Sequence, residues 1–432
     1  MSPEVTERRP TLRIVLANIA VIVGSFLAFL SFFYAASSLN SEAPRVAVKE
    51  AFADGTLRYD IYRLLEAVPG FIVTESDNAG SCYMYGHMLA PPDSLFGLGA
   101  RSADTSIANC EALDAVVQEA DSPAIYISYY RYWQGAAAVS KVALSVMSVH
   151  QFQWLLTGTL IALSVAVSLI AWRRSPILGL GFLVTFAMTT DFLWQGFSPL
   201  HGVATVTGLL GALVVYAAFS RSWRTRWAWV VVAGVAYAMF SHTLIPMALM
   251  LITYMLALLG STRETGIPKT AADLLRILTT PLLWLVGYLT ASVARWVWAI
   301  TLGPGLETLR GEFGYSSEKF TTTAVTDPFF QMVGLLSKTW LEFGVMQVGL
   351  VLMGLLIGVS IGRMPWNRDL WLPLLILISP LLFPLGWFAV WAFHINHTYV
   401  HAVLSVMVLV VLFALEKIRF TQSANEQLSQ DN

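Results

Sequence analysis

Charge is what this chain has least of. Asp, Glu, Lys and Arg together make up 12% of its 432 residues, against 56% hydrophobic residues, and a soluble domain would carry about twice that charge. The near-neutral balance, a formal net charge of −1, and the lack of any basic patch exclude a nucleic-acid partner. Motifs for phosphate-driven or serine chemistry are also missing. There is no Walker A loop, no Rossmann glycine fingerprint and no Gly-x-Ser-x-Gly elbow, which argues against ATP-driven transport and serine hydrolysis by those routes. No carboxylate cluster lies in the middle of an apolar run, which weakens a proton-coupled transporter. No internal repeat is visible, and no low-complexity tract apart from the polar end after Phe420.

What remains is a succession of apolar runs of roughly 17 to 24 residues, long enough to cross a hydrocarbon core of about 30 Å. Ten candidate spans lie near 14–35, 152–172, 176–190, 203–219, 227–242, 246–260, 280–302, 342–361, 370–389 and 400–416. The expected fold class is an all-α polytopic membrane protein with about 10 transmembrane helices, embedded among membrane lipids. Arg8, Arg9 and Arg13 precede the first run, which is too long for a signal-peptide core and reads as a retained helix.

Lys and Arg in the short connections set the orientation. Arg173 and Arg174, then Arg221, Arg224 and Arg226, then Arg263, Lys269 and Arg276, then Arg363 and Arg368, and finally Lys417 and Arg419 fall on the same side as Arg8, Arg9 and Arg13. The connections Asp191–Gly202 and Ser241–Ile245 contain neither residue. Both termini are therefore expected in the cytoplasm of a multi-pass inner-membrane protein. The organisation follows: 1–36 as cytoplasmic end and first helix, 37–151 as an extracytoplasmic cap, 152–416 as a helical body with an outer loop at 303–338, and 417–432 as a cytoplasmic tail. Within the cap, 56–67 and 107–120 have amphipathic helical patterning. Both cysteines, Cys82 and Cys110, lie in the cap, where an oxidising compartment permits a bridge.

All seven histidines, at 87, 150, 201, 242, 394, 397 and 401, fall on the outer side in this topology. His394, Asn396, His397 and His401 are concentrated at the start of the last helix, where offsets of three and seven residues hold the three rings within about 60°. Such a cluster suits phosphate binding, proton transfer, capping of a helix end or, less well without a carboxylate-bearing zinc pattern, a divalent metal. No cofactor is otherwise implied. Arg131 sits in the aromatic run Tyr129–Trp133 with Tyr132 and Trp133. This is either an interfacial belt with a snorkelling cation or a bidentate clamp on lipid phosphate. Arg295 lies inside a span, where a cation marks a function by default. Asp77, Asp60 and Asp191 are the candidate general bases, Asp191 standing out because it closes an apolar run before Trp194 and His201. His201 and His242 complete the outer polar set.

Four pieces resemble an uncharacterised family of bacterial polytopic proteins with a Tyr-Pro-Arg-Tyr-Trp-His-Gly signature. Tyr130-Arg131-Tyr132-Trp133-Gln134-Gly135 is similar to it, with Gln134 in place of His. Asp77-Asn78 resembles an Asp-Asn-Tyr-Thr-Asp element, with Ser81 in place of the second acid. Trp284-Leu-Val-Gly287-Tyr288 with Arg295-Trp296 resembles a Trp-x-x-Gly-Tyr…Lys-Trp element. Asn396-His397-Thr398-Tyr399-Val400-His401 resembles an Asn-His-Ser-x-x-His close. The resemblance implies that Asp77, Arg131, Arg295, His397 and His401 act as one set.

The layout of one helix, a large outer loop and a many-helix body also resembles GT-C glycosyltransferases. That likeness implies a polyprenyl-phosphate-linked sugar donor, an envelope glycan or lipid acceptor, and a first-loop acid, here Asp77 or Asp60, as base. The competing expectations are a transporter or flippase for a lipid-linked or anionic solute, an envelope polymerase, ligase or acyltransferase, and a non-catalytic assembly factor.

Overall fold

The structure, a computed structural model, describes residues 12–58, 62–68, 71–89, 101–103, 109–118, 126–128, 133, 135–189, 194–241, 246–261, 266–302, 344–364, 368–390 and 400–430. Among the described residues, five segments are long and apolar enough to cross a membrane: Leu12–Ser37, Val149–Trp172, Pro199–Ser220, Ala271–Trp298 and Arg368–Gly386. The first, α1 (Leu12–Ser37), has 26 residues and at 1.5 Å per residue reaches about 39 Å. Between these lie shorter apolar helices. In chain order the body comprises α6 (Val149–Trp172), α7 (Pro176–Val184) running into a π-helical turn at Thr185–Thr189, α8 (Pro199–Ser220), α9 (Arg226–Phe240) and α10 (Pro246–Gly260). It continues through α11 (Ala271–Leu302), α12 (Gly344–Gly362), α13 (Trp371–Ile378), α14 (Leu382–Val390) and α15 (Val400–Gln430).

The bundle is apolar inside and out. Its core is led by α10, every residue of which is buried from Pro246 to Gly260. Leu16, Val23, Leu155, Leu169, Val286 and Val351 are exposed on α1, α6, α11 and α12. In water so much exposed aliphatic surface would drive association; facing lipid it needs no cover. This is a helical membrane protein.

Because lipid is as apolar as leucine, close packing rather than hydrophobic expulsion must hold such helices together. The tightest crossing joins α9 to α11. A Cβ on Gly234 would run into the Trp284 carbonyl oxygen, and one on Gly287 into the Val231 carbonyl oxygen. The two backbones touch where each helix has no side chain. Alongside them α1 packs on α9 at both ends. Its Asn18 side chain accepts from the Ala228 amide at 3.2 Å, and Phe29 and Phe33 meet Phe240 at ring-centroid distances of 5.4 and 5.2 Å.

At one end of the bundle a buried carboxylate gathers three helices. Glu416 of α15 accepts hydrogen bonds from Ser175, the residue capping α7, and from Ser360 of α12 at 2.8 Å. Arg419 closes the group at 2.8 Å. A buried charge is tolerated only when so paired. Arg174 donates to the Leu259 carbonyl at the end of α10, so the same end also collects α6 and α10.

Among its described residues the cap contains α2 (Glu42–Ala53), α3 (Asn78–Leu89), α4 (Asn109–Gln118) and α5 (Gly135–Leu144), with four short strands. Strands β1 (Tyr62–Val68) and β2 (Phe71–Asp77) form an antiparallel ribbon, and β3 (Arg101–Ala103) and β4 (Tyr126–Ser128) form another. The helix expected over 107–120 is α4. The one expected over 56–67 is not formed: that stretch runs into β1, and the helix lies earlier, at 42–53. The apolar residues of 62–68 also suit a strand, and an aromatic and β-branched partner, Phe71-Ile72-Val73-Thr74, follows Pro69-Gly70, a pair whose residue types favour turns. The helical reading therefore holds for the body, while the cap adds two ribbons.

A disulfide joins Cys82 on α3 to Cys110 on α4 across 28 residues. Arg45 on α2 donates to the Val116 carbonyl of α4 at 2.7 Å. Lys141 on α5 donates to the Ser37 carbonyl at the end of α1 at 2.9 Å, where the helix dipole favours a cation. Burial pushes the Lys141 ammonium below its ordinary pKa, so this tether is made at the expense of its hydration.

Two outcomes follow from this packing. Gly287→Ala, which on an open helix face would stabilise, should instead lower stability by about 1–3 kcal/mol through overpacking; thermal unfolding in detergent reads the sign. Replacing Cys82 and Cys110 by Ser should remove about 3 kcal/mol from the cap in the chain-entropy picture. Limited proteolysis should then cut between residues 37 and 134 before it cuts the bundle.

Candidate functional site

The site is built outward from Trp133. This residue precedes α5 and is buried, 1% exposed. Its indole Nε1 donates to the Ala291 carbonyl of α11 at 2.7 Å, and its ring packs edge-on against Phe26 of α1 at 5.9 Å. Four residues beyond Ala291, and so on the same face of α11, stands Arg295, which has no solvent exposure. Its guanidinium carbon lies 5.3 Å from the centroid of the Trp133 ring. A desolvated cation over a tryptophan face gains about 2 kcal/mol. The last aromatic of the Tyr129–Trp133 run and the cation inside a span, 162 residues apart in the chain, are one structural unit.

The elements of α11 divide their labour. Gly287 permits the crossing with α9. Trp284 and Tyr288 stack with an interplanar angle of 9° and a centroid separation of 5.8 Å, and Tyr237 of α9 joins them at 5.5 Å from Trp284. An aromatic column therefore runs along α11 toward Arg295.

Asp77 is the final residue of β2, paired in register with Tyr62, and α3 begins at the next residue. Strand β2 lies against α12 and against a 3-10 turn, Trp194–Phe197, that leads into α8. His201 occupies the first turn of α8 and is buried. The structure thus brings the strand of Asp77 to the helix end that carries His201. Helix α5, which begins two residues after Trp133, packs on α3 and α8 and links this region to the Trp133–Arg295 pair. His401 falls in the first turn of α15; for Asp77 and His401 the backbone alone is described. Asp60, Arg131, Tyr132, Asp191, His242, His394, Asn396 and His397 lie outside the described residues. Each described histidine, His87, His150, His201 and His401, is in the cap or in the first turn of a helix. Among the described residues, no three His, Cys, Asp or Glu side chains stand together in a metal-holding group.

Three polar residues that sequence reasoning passed over lie in the same region: Tyr85 on α3, and Gln195 and Ser198 beside the start of α8. Each is buried. Burial pushes the Tyr85 phenol above its ordinary pKa. A hydroxyl or amide in an apolar neighbourhood was the only available cue, and Ser and Gln are too common for it to single them out.

No protein-family model matches this chain, and no curated protein or solved structure is detectably similar to it.

Trp133→Phe keeps an aromatic ring but removes the indole donor and weakens the face offered to Arg295. Stability should fall by about 1–3 kcal/mol, seen as a lower unfolding temperature in detergent; an unchanged temperature would mean that the Ala291 bond contributes nothing.

Proposed function

We propose that this chain is a GT-C-like membrane glycosyltransferase that moves a sugar from a polyprenyl-phosphate carrier onto an envelope glycan or lipid at the outer face of the cytoplasmic membrane. The observation that carries this reading is the buried Arg295 guanidinium held against Trp133, two residues from Arg131, at the junction of cap and bundle. A cation in apolar surroundings suits the phosphate of a lipid carrier approaching from between helices. The paired state of Glu416 at the opposite end supports an enzyme over a transporter, because that carboxylate is already engaged by Ser175, Ser360 and Arg419 rather than available to a passing solute.

Ten spans with both termini in the cytoplasm accommodate this arrangement. The Glu416 group lies beside Arg173, Arg174 and Arg419, at the Lys/Arg-rich end. The cap with its Cys82–Cys110 bridge then stands outside, in an oxidising compartment.

In the reaction, Asp77 takes the proton from an acceptor hydroxyl. The acceptor oxygen bonds to the anomeric carbon as the bond from that carbon to the phosphate oxygen breaks, inverting the centre. Polyprenyl phosphate leaves with its developing charge offset by Arg131 and Arg295 and by His397 and His401.

Purified protein in lipid nanodiscs, supplied with polyprenyl-phosphate sugars and an envelope lipid extract, should release polyprenyl phosphate. Asp77→Asn should lower turnover by about 10²-fold or more, and Arg295→Met should weaken binding of the carrier. Full turnover by Asp77→Asn would move the base to Asp60 or Asp191. If polyprenyl phosphate itself failed to bind, the carrier reading would be wrong.

A further inference from the structure

The 3-10 turn Trp194–Phe197 is wedged between α6 and α8 with little freedom. A Cβ on Gly196 would collide with the Thr157 hydroxyl and backbone of α6. Gln153 of α6 donates from Nε2 to the Phe197 carbonyl at 2.8 Å. The Gln195 carbonyl-side oxygen accepts from the Thr205 hydroxyl of α8, which lays the amide along the first two turns of that helix.

Against this rigid frame, three polar atoms stand out. Gln195 Nε2, the Ser198 hydroxyl and the Tyr85 hydroxyl are buried without a hydrogen-bond partner among the described residues. Their residues are 5%, 2% and 0% exposed. Ser198 is the residue before α8, where its hydroxyl would ordinarily cap the helix, and it makes no such bond. Tyr85 belongs to α3, which packs on α8, and shares one continuous buried core with Leu200 and Val203 of α8. A buried donor left without a partner is costly, so three such atoms on elements packed around α8 call for a ligand that completes them.

The chemistry of the three atoms selects the ligand. Gln195 Nε2 can only donate, and a phenol kept protonated by burial donates, while a serine hydroxyl does either. His201 is the one basic residue between 194 and 206, with no Lys or Arg beside it, and a phosphate buried there would lack a permanent counter-charge. Uncharged hydroxyl oxygens fit both conditions.

We infer that Gln195, Ser198 and Tyr85 form a pocket for the hydroxyl groups of a sugar ring, distinct in role from the cationic Trp133–Arg295 unit. The inference deepens the proposed function and rests on it: the phosphate of the carrier goes to the arginines and its glycosyl group to the neutral donors.

Binding of farnesyl phosphate and of its glucosyl, mannosyl, galactosyl and arabinosyl esters to the full chain in nanodiscs separates the two. Wild type should bind at least one glycosylated lipid more tightly than bare farnesyl phosphate. Gln195→Ala and Ser198→Ala should each reduce that preference about three- to tenfold while binding bare farnesyl phosphate unchanged. A preference retained in both variants, or absent for all four sugars while farnesyl phosphate binds, overturns the pocket and leaves the carrier reading standing. Failure of bare farnesyl phosphate to bind overturns the carrier reading and the sugar assignment with it. A second measurement is independent of the ligand. Removing an unpartnered hydroxyl should leave the unfolding temperature of the free protein equal or higher in Ser198→Ala and Tyr85→Phe. A drop of several degrees in both would show that these hydroxyls serve the fold and overturn the inference.

Discussion

The crossing of α9 and α11 at Gly234 and Gly287 is the constraint from which the rest of the arrangement follows. In lipid there is no gain from hiding one aliphatic surface against another, so helices associate where backbones can approach and dispersion contacts are dense. Here each helix presents a glycine to a carbonyl of the other. With α11 fixed in this way, the Ala291 carbonyl one turn further on becomes a stationary acceptor, and the Trp133 indole bonds to it. Arg295 follows on the same face and lies over that indole. The cation is thus positioned by a chain of contacts that begins with two missing side chains.

The cap is attached to this rigid region rather than draped over it. Trp133 reaches α11, Lys141 reaches the end of α1, and α3 and α5 rest on α8. Within the cap, the Cys82–Cys110 bridge and the Arg45 bond to Val116 hold α2, α3 and α4 as a unit. A small domain with so short a core depends on such fasteners. Its placement keeps the strand of Asp77 at the boundary between cap and bundle.

Much of the body was legible because a membrane simplifies the code. A run such as 152–172 or 203–219 has one stable reading in lipid, since the backbone must satisfy its own hydrogen bonds. The cap was harder. The stretch 62–68 satisfies helical and strand patterning alike, and its partner at 71–77 decided the matter through long-range pairing that local periodicity does not record. Arg295 was conspicuous as a charge in an apolar run, yet nothing in composition pairs it with Trp133, 162 residues away. Gly287 belongs to a motif-like run, but the reason for a glycine there is the Val231 carbonyl opposite, which residue order does not record. For Tyr85, Gln195 and Ser198 the informative property is one buried polar atom on each without a partner among the described residues, which belongs to the fold and has no signature in residue order.

The complete burial of α10 bears on how the protein meets bilayers of different thickness. A helix of 15 residues rises about 23 Å, well short of a hydrocarbon core, and a lipid-facing helix of that length would have to thin the membrane around itself. Because every residue from Pro246 to Gly260 is enclosed by protein, α10 has no acyl chains to match. Its length answers only to its neighbours. Adjustment to a thicker or thinner membrane falls instead to the lipid around the helices with exposed aliphatic faces, such as α1, α6 and α12, while the packed interior keeps its geometry.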